Sequence, residues 1–192
     1  PAPGGGSISA YIGSLGASLA TMVANLSSHK RGWDDKWETF SKIAEEGQLH
    51  LAELEKLVDE DTKAFNEIIN SFRIKAQTKE EKQKKELAIQ AATLNAIEVP
   101  LTIMEVAVKS MNIIKILTQK GNPNSVSDAG VAALCARSAV IGGYFNVMIN
   151  LKDYTNKKYK KELLLKAEKL KKIAIQKESE IIQLTLKIIS NL

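Results

Sequence analysis

Two aspartates, Asp61 and Asp128, are the carboxylates whose positions could serve proton transfer. Asp61 falls on the apolar seam of a long amphipathic segment, between Val58 and Phe65. A carboxylate there is costly unless it is paired or hydrogen-bonded. Desolvation would also raise its pKa toward a value useful for proton transfer. The same residue also reads as a polar contact that fixes helix register. Asp128 follows Ser127 at the head of a charge-poor segment, where position alone reads as a helix N-terminal cap. Gly4, Gly5, Gly6 and Ser7 precede a helix and offer backbone N–H groups to an anion, or simply form a flexible entry turn. Lys30 and Arg31 form a basic pair suited to an anionic tail or to plain solvation. Asn146 and Asn150, four residues apart, share one helix face.

Other chemistries are excluded by spacing. A phosphate-binding loop needs a Lys and a Ser or Thr at fixed distance after a strand. Here Ser7 and Ile8 follow the glycines directly, and there is no room for a strand. Two histidines and one cysteine show no metal-ligand spacing, so no metal is expected. The run from Ile8 to Leu26 has no charged side chain and nearly matches the length of a bilayer crossing. Its serines, Thr21, Asn25, Gly13 and Gly16 suit close packing inside a bundle instead, so no membrane partner is expected. The lysine run from Lys157 to Lys172 has no arginine and only Tyr159 as an aromatic, short of the interleaved pattern of a nucleic-acid surface, and no nucleic-acid partner is expected.

These residues need a scaffold. The chain has 192 residues, of which 44% are hydrophobic and 26% charged, with a formal net charge of +5. That size suits one domain, 1–192, with its own core. Sparse aromatics and abundant Ala, Ile and Leu favour helix packed on helix. Cys135 is the single cysteine, which fits a reducing compartment and a cytoplasmic protein. No secretory signal pattern precedes the apolar run.

Periodicity predicts an all-α array of about five long, bundle-like helices. The first starts near Ser7 as N-cap and ends around Ser27. The second runs from about Asp34 to Arg73, with an apolar stripe through Trp37, Phe40, Ala44, Gly47, Leu51, Leu54, Val58, Phe65, Ile68 and Phe72. The third begins at a capping box of Thr78 and Glu81, meets Pro100 where a kink or break is expected, and stops at Gly121. The fourth opens at Ser127-Asp128 and ends near Leu151; with only Arg137 charged between Asp128 and Lys152, it should be surrounded on most sides. The fifth starts near Thr155 and extends toward Leu192. Helices this long usually find partners, so a homodimer is expected.

Several ordered motifs carry a resemblance. They are PAPGGGS at 1–7, Lys30-Arg31, Asp61 followed by Ala64-Phe65, TKEEKQKK at 78–85, VPLT at 99–102, Gly121-Asn122, Ser127-Asp128 and GGYFNVMINLKD at 142–153. Together they closely resemble the cyclodeaminase domain of the formiminotransferase-cyclodeaminase family and the related methenyltetrahydrofolate cyclohydrolases. Family members carry one more helix before PGGGS, and this chain starts inside that motif.

The resemblance implies a dimeric helical enzyme acting on one-carbon adducts of tetrahydrofolate, with no tightly bound cofactor. It implies either deamination of 5-formiminotetrahydrofolate to 5,10-methenyltetrahydrofolate or hydration of the methenyl form. A separate formiminotransferase is the implied source of substrate. Asp61 and Asp128 would be the catalytic carboxylates. Gly4, Gly5, Gly6, Ser7, Lys30, Arg31, Asn122, Ser127, Asn146 and Asn150 would bind the folate, with Lys30 and Arg31 on a glutamate or polyglutamate tail. A helical interaction module without activity is the competing reading; the joint presence of both aspartates, the glycines and Asn122 favours the enzyme.

Overall fold

The computed structural model describes residues 3–191. It contains α1 (Gly5–Ser28), α2 (Trp37–Arg73), α3 (Lys79–Lys120), a single 3-10 turn (Pro123–Ser125), α4 (Val126–Leu151) and α5 (Lys157–Ile189). Among the described residues there is no strand, as the composition and periodicity predict.

α1 is the axis of the array. It packs against α2 on one side and antiparallel to α4 on another. Three contacts trace the antiparallel pair: Gly5 against Asn146, Gly16 against Ala132 and Cys135, and the Asn122 N–H donating to Ser27 Oγ at 2.8 Å. α3 lies across α2 and α4, and α5 covers α4 and α3. The central core gathers Val23, Phe40, Ile97, Met104, Met111, Ile114, Val140 and Val147, all below one-tenth exposed.

Helix ends follow the local chemistry with some departures. The capping box at Thr78 and Glu81 forms as expected, with the Glu81 N–H donating to Thr78 Oγ1 at 3.2 Å. α1 begins two residues earlier than Ser7, with Gly4 as its N-cap, because an external carboxylate rather than the Ser7 side chain satisfies the first turn. α2 starts at Trp37 rather than Asp34. α5 is capped by Asn156, whose Oδ1 accepts from the Tyr159 N–H. At Pro100, α3 runs on without a break. Beyond Asp61, α2 continues to Arg73 and pairs with the first turns of α3; Lys85 Nζ donates to the Phe72 and Ile74 carbonyls and closes the α2 C-terminus.

Two expectations about burial are corrected. The inward face of α2 is Phe40, Ala44, Leu54, Leu57 and Ala64, while Trp37, Phe65 and Phe72 are more than half exposed. A stripe spaced by three and four drifts round a straight helix of 3.6 residues per turn, so its two ends leave the core face. α4 is not enclosed on most sides: Val131, Leu134, Phe145 and Ile149 face outward, beside Ile8, Tyr11, Leu15, Met22 and Leu26 of α1. α1, α3 and the segment Pro123–Leu151 are long and apolar enough to cross a membrane by length and composition. Inside the protein, 61%, 67% and 39% of those apolar windows are buried.

His50 of α2 is buried against α3. The Ser110 hydroxyl donates to the Val106 carbonyl at 3.0 Å, so His50 Nδ1 is left to donate to Ser110 Oγ at 3.3 Å. Burial holds the imidazole below its ordinary pKa; Glu46 and Glu53 oppose that and Lys109 adds to it. The folded protein therefore favours the neutral ring. That stability is complete above the unfolded value of about 6.5 and is lost as pH falls below it toward the folded value. The expected result is a melting temperature that drops between pH 7 and pH 5, with a smaller drop in His50→Gln, read by calorimetry.

Candidate functional site

The N-terminus of α1 meets the middle of α2 at Asp61. Asp61 Oδ2 accepts from the Ser7 N–H at 2.8 Å and from Ser7 Oγ at 2.8 Å. Ser7 Oγ gives its one proton to Asp61 and stands 3.2 Å from Thr62 Oγ1, whose own proton is also 3.5 Å from the Val58 carbonyl. Free N–H groups and the positive end of the helix dipole also favour an anion at this spot. The carboxylate caps one helix while standing on another.

The glycines are explained by the same contact. A Cβ at Gly6 would overlap Asp61 Oδ1, and one at Gly5 would press on Asn146 Nδ2 at 3.3 Å. No larger residue lets α1 approach both α2 and α4 here. The role is close approach rather than an unusual backbone, since Gly6 is helical.

Around this junction lies a cavity of about 450 Å³. Its walls are Gly4, Gly5 and Ser7 from α1 and its cap; Asp61, Thr62, Phe65, Asn66 and Ile68 from α2; Ala96 from α3; and Asn146, Ile149 and Asn150 from α4. Phe65 supplies an aromatic wall. The amide orientations are fixed by protein carbonyls. Asn146 Nδ2 donates to the Gly142 carbonyl at 2.8 Å and Asn150 Nδ2 to the Ala96 carbonyl at 2.7 Å. The lining contains one carboxylate and no Lys, Arg or His. Such a wall accepts hydrogen bonds and suits a ligand with N–H donors or positive charge. Among the described residues, no group of three His, Cys, Asp or Glu converges to hold a metal.

The sequence-expected residues divide between two ends of the molecule. Gly4, Gly5, Ser7, Asp61, Asn146 and Asn150 share the cavity, and Gly6 backs Asp61. Lys30, Arg31, Asn122, Ser127 and Asp128 are not brought there. Gly4 and Lys30 bracket α1, about 36 Å long at 1.5 Å per residue. Asp128 and Asn146 are about 27 Å apart along α4 by the same rise. At that far end the Asn122 side chain accepts from the Asn124 N–H and closes the 3-10 turn. Lys30 Nζ sits 4.2 Å from the Trp33 ring centre. The α2 stripe had assigned Phe65 to the core, and Thr62 and Asn66 carried no signal beyond their nearness to Asp61.

The family model for formiminotransferase-cyclodeaminase matches residues 1–169. The chain belongs to the formiminotransferase-cyclodeaminase family. It is 35% identical over 161 residues to formimidoyltransferase-cyclodeaminase of Rattus norvegicus, covering 84% of this chain and 30% of that protein. It thus spans about a third of the bifunctional relatives it matches. It is 31% identical over 170 residues to methenyltetrahydrofolate cyclohydrolase of Methylorubrum extorquens, covering 88% of this chain and 82% of that one. The crystal structure of formiminotetrahydrofolate cyclodeaminase from Thermotoga maritima superposes with a TM-score of 0.87 at 25% identity, over 98% of this chain and 90% of the other. In this chain the glycine-rich head of α1 is a helix terminus closed by a carboxylate from α2.

Gly6→Ala should lower the stability of the folded protein by about 1–3 kcal/mol, the usual effect of overpacking, measured by urea denaturation. Ala at Gly4, which has room to spare, should be nearly neutral in the same experiment.

Proposed function

We propose that the protein is a formiminotetrahydrofolate cyclodeaminase, closing 5-formiminotetrahydrofolate to 5,10-methenyltetrahydrofolate with release of ammonia. The observation that carries this reading is the acceptor-lined cavity around Asp61, with no basic side chain in its wall. The formimino group is an amidine that carries N–H donors, and the methenyl product is cationic. A carboxylate beside both stabilises the charge that persists through the reaction. The wall offers nothing to a carboxylate tail, so the glutamate end of folate lies outside it.

In this scheme N10 attacks the carbon of the protonated formimino group, an amidinium, to give a tetrahedral carbon that bridges N5 and N10 and carries the NH₂ to be lost. Asp61 takes the N10 proton, and the departing nitrogen leaves as ammonia after gaining a proton. Ser7 holds the carboxylate through two donors, so its position does not depend on ligand. Phe65 supports the flat ring system. No tightly bound cofactor is invoked, and a separate formiminotransferase would supply the substrate.

A second reading, methenyltetrahydrofolate cyclohydrolase, is favoured by one observation. The chain is 31% identical over 170 residues to the Methylorubrum protein of that name. Asp61 would then activate water for addition to the methenyl carbon.

We also assign the exposed apolar face of α1 and α4 to a second copy of the chain. The α1 stripe has no charged residue, and its steps of three and four match the period of helix-on-helix packing. Two antiparallel helices laid on their own copies make a four-helix seam about 27 Å long, the span of Ile8 to Leu26. A twofold axis across the helices would also set the Lys30, Asn122 and Asp128 end of one subunit near the Asp61 cavity of its partner.

Three measurements test these readings. Absorbance should report methenyltetrahydrofolate forming from 5-formiminotetrahydrofolate, with ammonia released; enzyme-dependent loss of methenyltetrahydrofolate alone would select the hydrolase, and no change with folded protein would defeat both. Asp61→Asn should lower turnover about 10²–10⁴-fold, the usual contribution of a positioned acid or base. Leu15→Lys with Leu134→Lys should convert a dimer to a folded monomer by light scattering, whereas a wild-type monomer, or flotation of the wild type with lipid vesicles, would overturn the second-copy assignment.

A further inference from the structure

We infer that Asn150 is a positioning residue set by Pro100: it mends the hydrogen-bond gap that the proline opens in α3, and its amide oxygen is thereby held toward the cavity as a fixed acceptor. The ligand half of this inference rests on the folate reading; the structural half does not.

Inside an α-helix, each carbonyl accepts from the N–H four residues later. Pro100 has no N–H, so the Ala96 carbonyl loses its partner within α3. Ala96 is 6% exposed, and an orphaned acceptor in such a place is costly. Asn150 of α4 supplies the missing donor, its Nδ2 lying 2.7 Å from the Ala96 oxygen. α3 therefore passes Pro100 unbroken because a neighbouring helix completes its ladder.

The reach of Asn150 depends on how closely α4 lies on this turn. Gly143, two turns before Asn150 on α4, faces the proline turn: a Cβ there would stand 3.0 Å from the Pro100 carbonyl oxygen and 2.8 Å from Met104 Cγ. Any side chain at 143 would lift α4 from α3 and draw Asn150 away from Ala96. VPLT at 99–102 and GGYFNVMIN at 142–150 thus form one device, although they are far apart in sequence.

A primary amide has a donating end and an accepting end. Because Ala96 O can only accept, the NH₂ end of Asn150 must face it, and Oδ1 is turned the other way. Gly142 O fixes Asn146 in the same sense. Beside Asp61, which faces the reacting carbon in the proposed scheme, the cavity then holds two amide acceptors on side chains that cannot reorient without losing a protein hydrogen bond. That arrangement selects an edge with adjacent N–H groups, such as the amino-pyrimidinone edge of a reduced pterin, over one that presents acceptors.

A mutant cycle on the whole protein tests the mending. Pro100→Ala restores an N–H four residues after Ala96, so Asn150→Leu should lower the melting temperature by several degrees in the Pro100 protein and by clearly less in the Pro100→Ala protein. Equal losses in the two backgrounds would overturn the inference. The positioning half is read with 5-formyltetrahydrofolate as the probe, by calorimetric titration. Pro100→Ala leaves every cavity side chain in place but releases the Asn150 amide to turn, so affinity should weaken by roughly 3–10-fold, the value of one hydrogen bond. Unchanged affinity in a stable Pro100→Ala protein would refute the positioning role. A wild type that binds no folate would defeat the functional reading while the stability cycle still decided the mending.

Discussion

The hydrogen bonds from Ser7 to Asp61 join three requirements in one place. α1 begins with three glycines and has no acidic residue in its first turn, so its own sequence caps it poorly. Gly4 as N-cap has no side chain to offer. A carboxylate from α2 supplies what the terminus lacks, accepting two hydrogen bonds at the positive end of the helix dipole. The glycines that make the helix end weak by itself also let the carboxylate come close. Substituting either partner therefore disturbs a cap, a helix crossing and the cavity wall together.

Small residues extend that close approach along the whole of α1. Gly16 meets the backbone of Ala132, and Ala10, Ala17, Ala20 and Ala24 are fully buried. Short side chains bring antiparallel helices near enough for backbone contact, which concentrates dispersion and excludes water. The consequence for the cavity is rigidity: its floor is made by helix backbones that cannot slide without overlap. The opposite consequence appears on the outside, where the same helices leave large apolar side chains without cover.

Helix number, type and approximate ends were legible in the sequence because each depends on local signals. Thr78 with Glu81, Gly121 before Pro123, and the charge-poor run of α1 are examples, and the structure follows them closely. What local signals missed was orientation. The α2 stripe was read by spacing alone, and its rotation relative to α1 put Phe65 at the cavity rather than in the core. Ser7 was read as a cap because Ser is a good cap, when a residue 54 positions away performs that role. Asp61 stood out as a carboxylate among apolar neighbours, but its Ser7 partner is a tertiary contact that periodicity does not encode. At Pro100 local rules allow a kink or a break; α3 has no break there, and the donor that completes its ladder lies on another helix, where periodicity does not point.

The separation of the two aspartates constrains any mechanism. Asp61 and Asp128 lie at opposite ends of the α1–α4 pair, and a folate ring system is much shorter than the α4 axis between them. One chain by itself therefore cannot place both carboxylates on one reacting carbon. In the proposed scheme a single subunit would use Asp61 for both proton transfers, moving the proton from N10 to the leaving nitrogen on one carboxylate. The tetrahedral carbon binds both nitrogens, so a carboxylate placed beside that carbon would face both of them. A two-aspartate mechanism requires instead that a second chain lay its Asp128 end against the cavity. The apolar face of α1 and α4 runs between those two ends, so the surface that would recruit the second chain is the one whose orientation decides between the mechanisms.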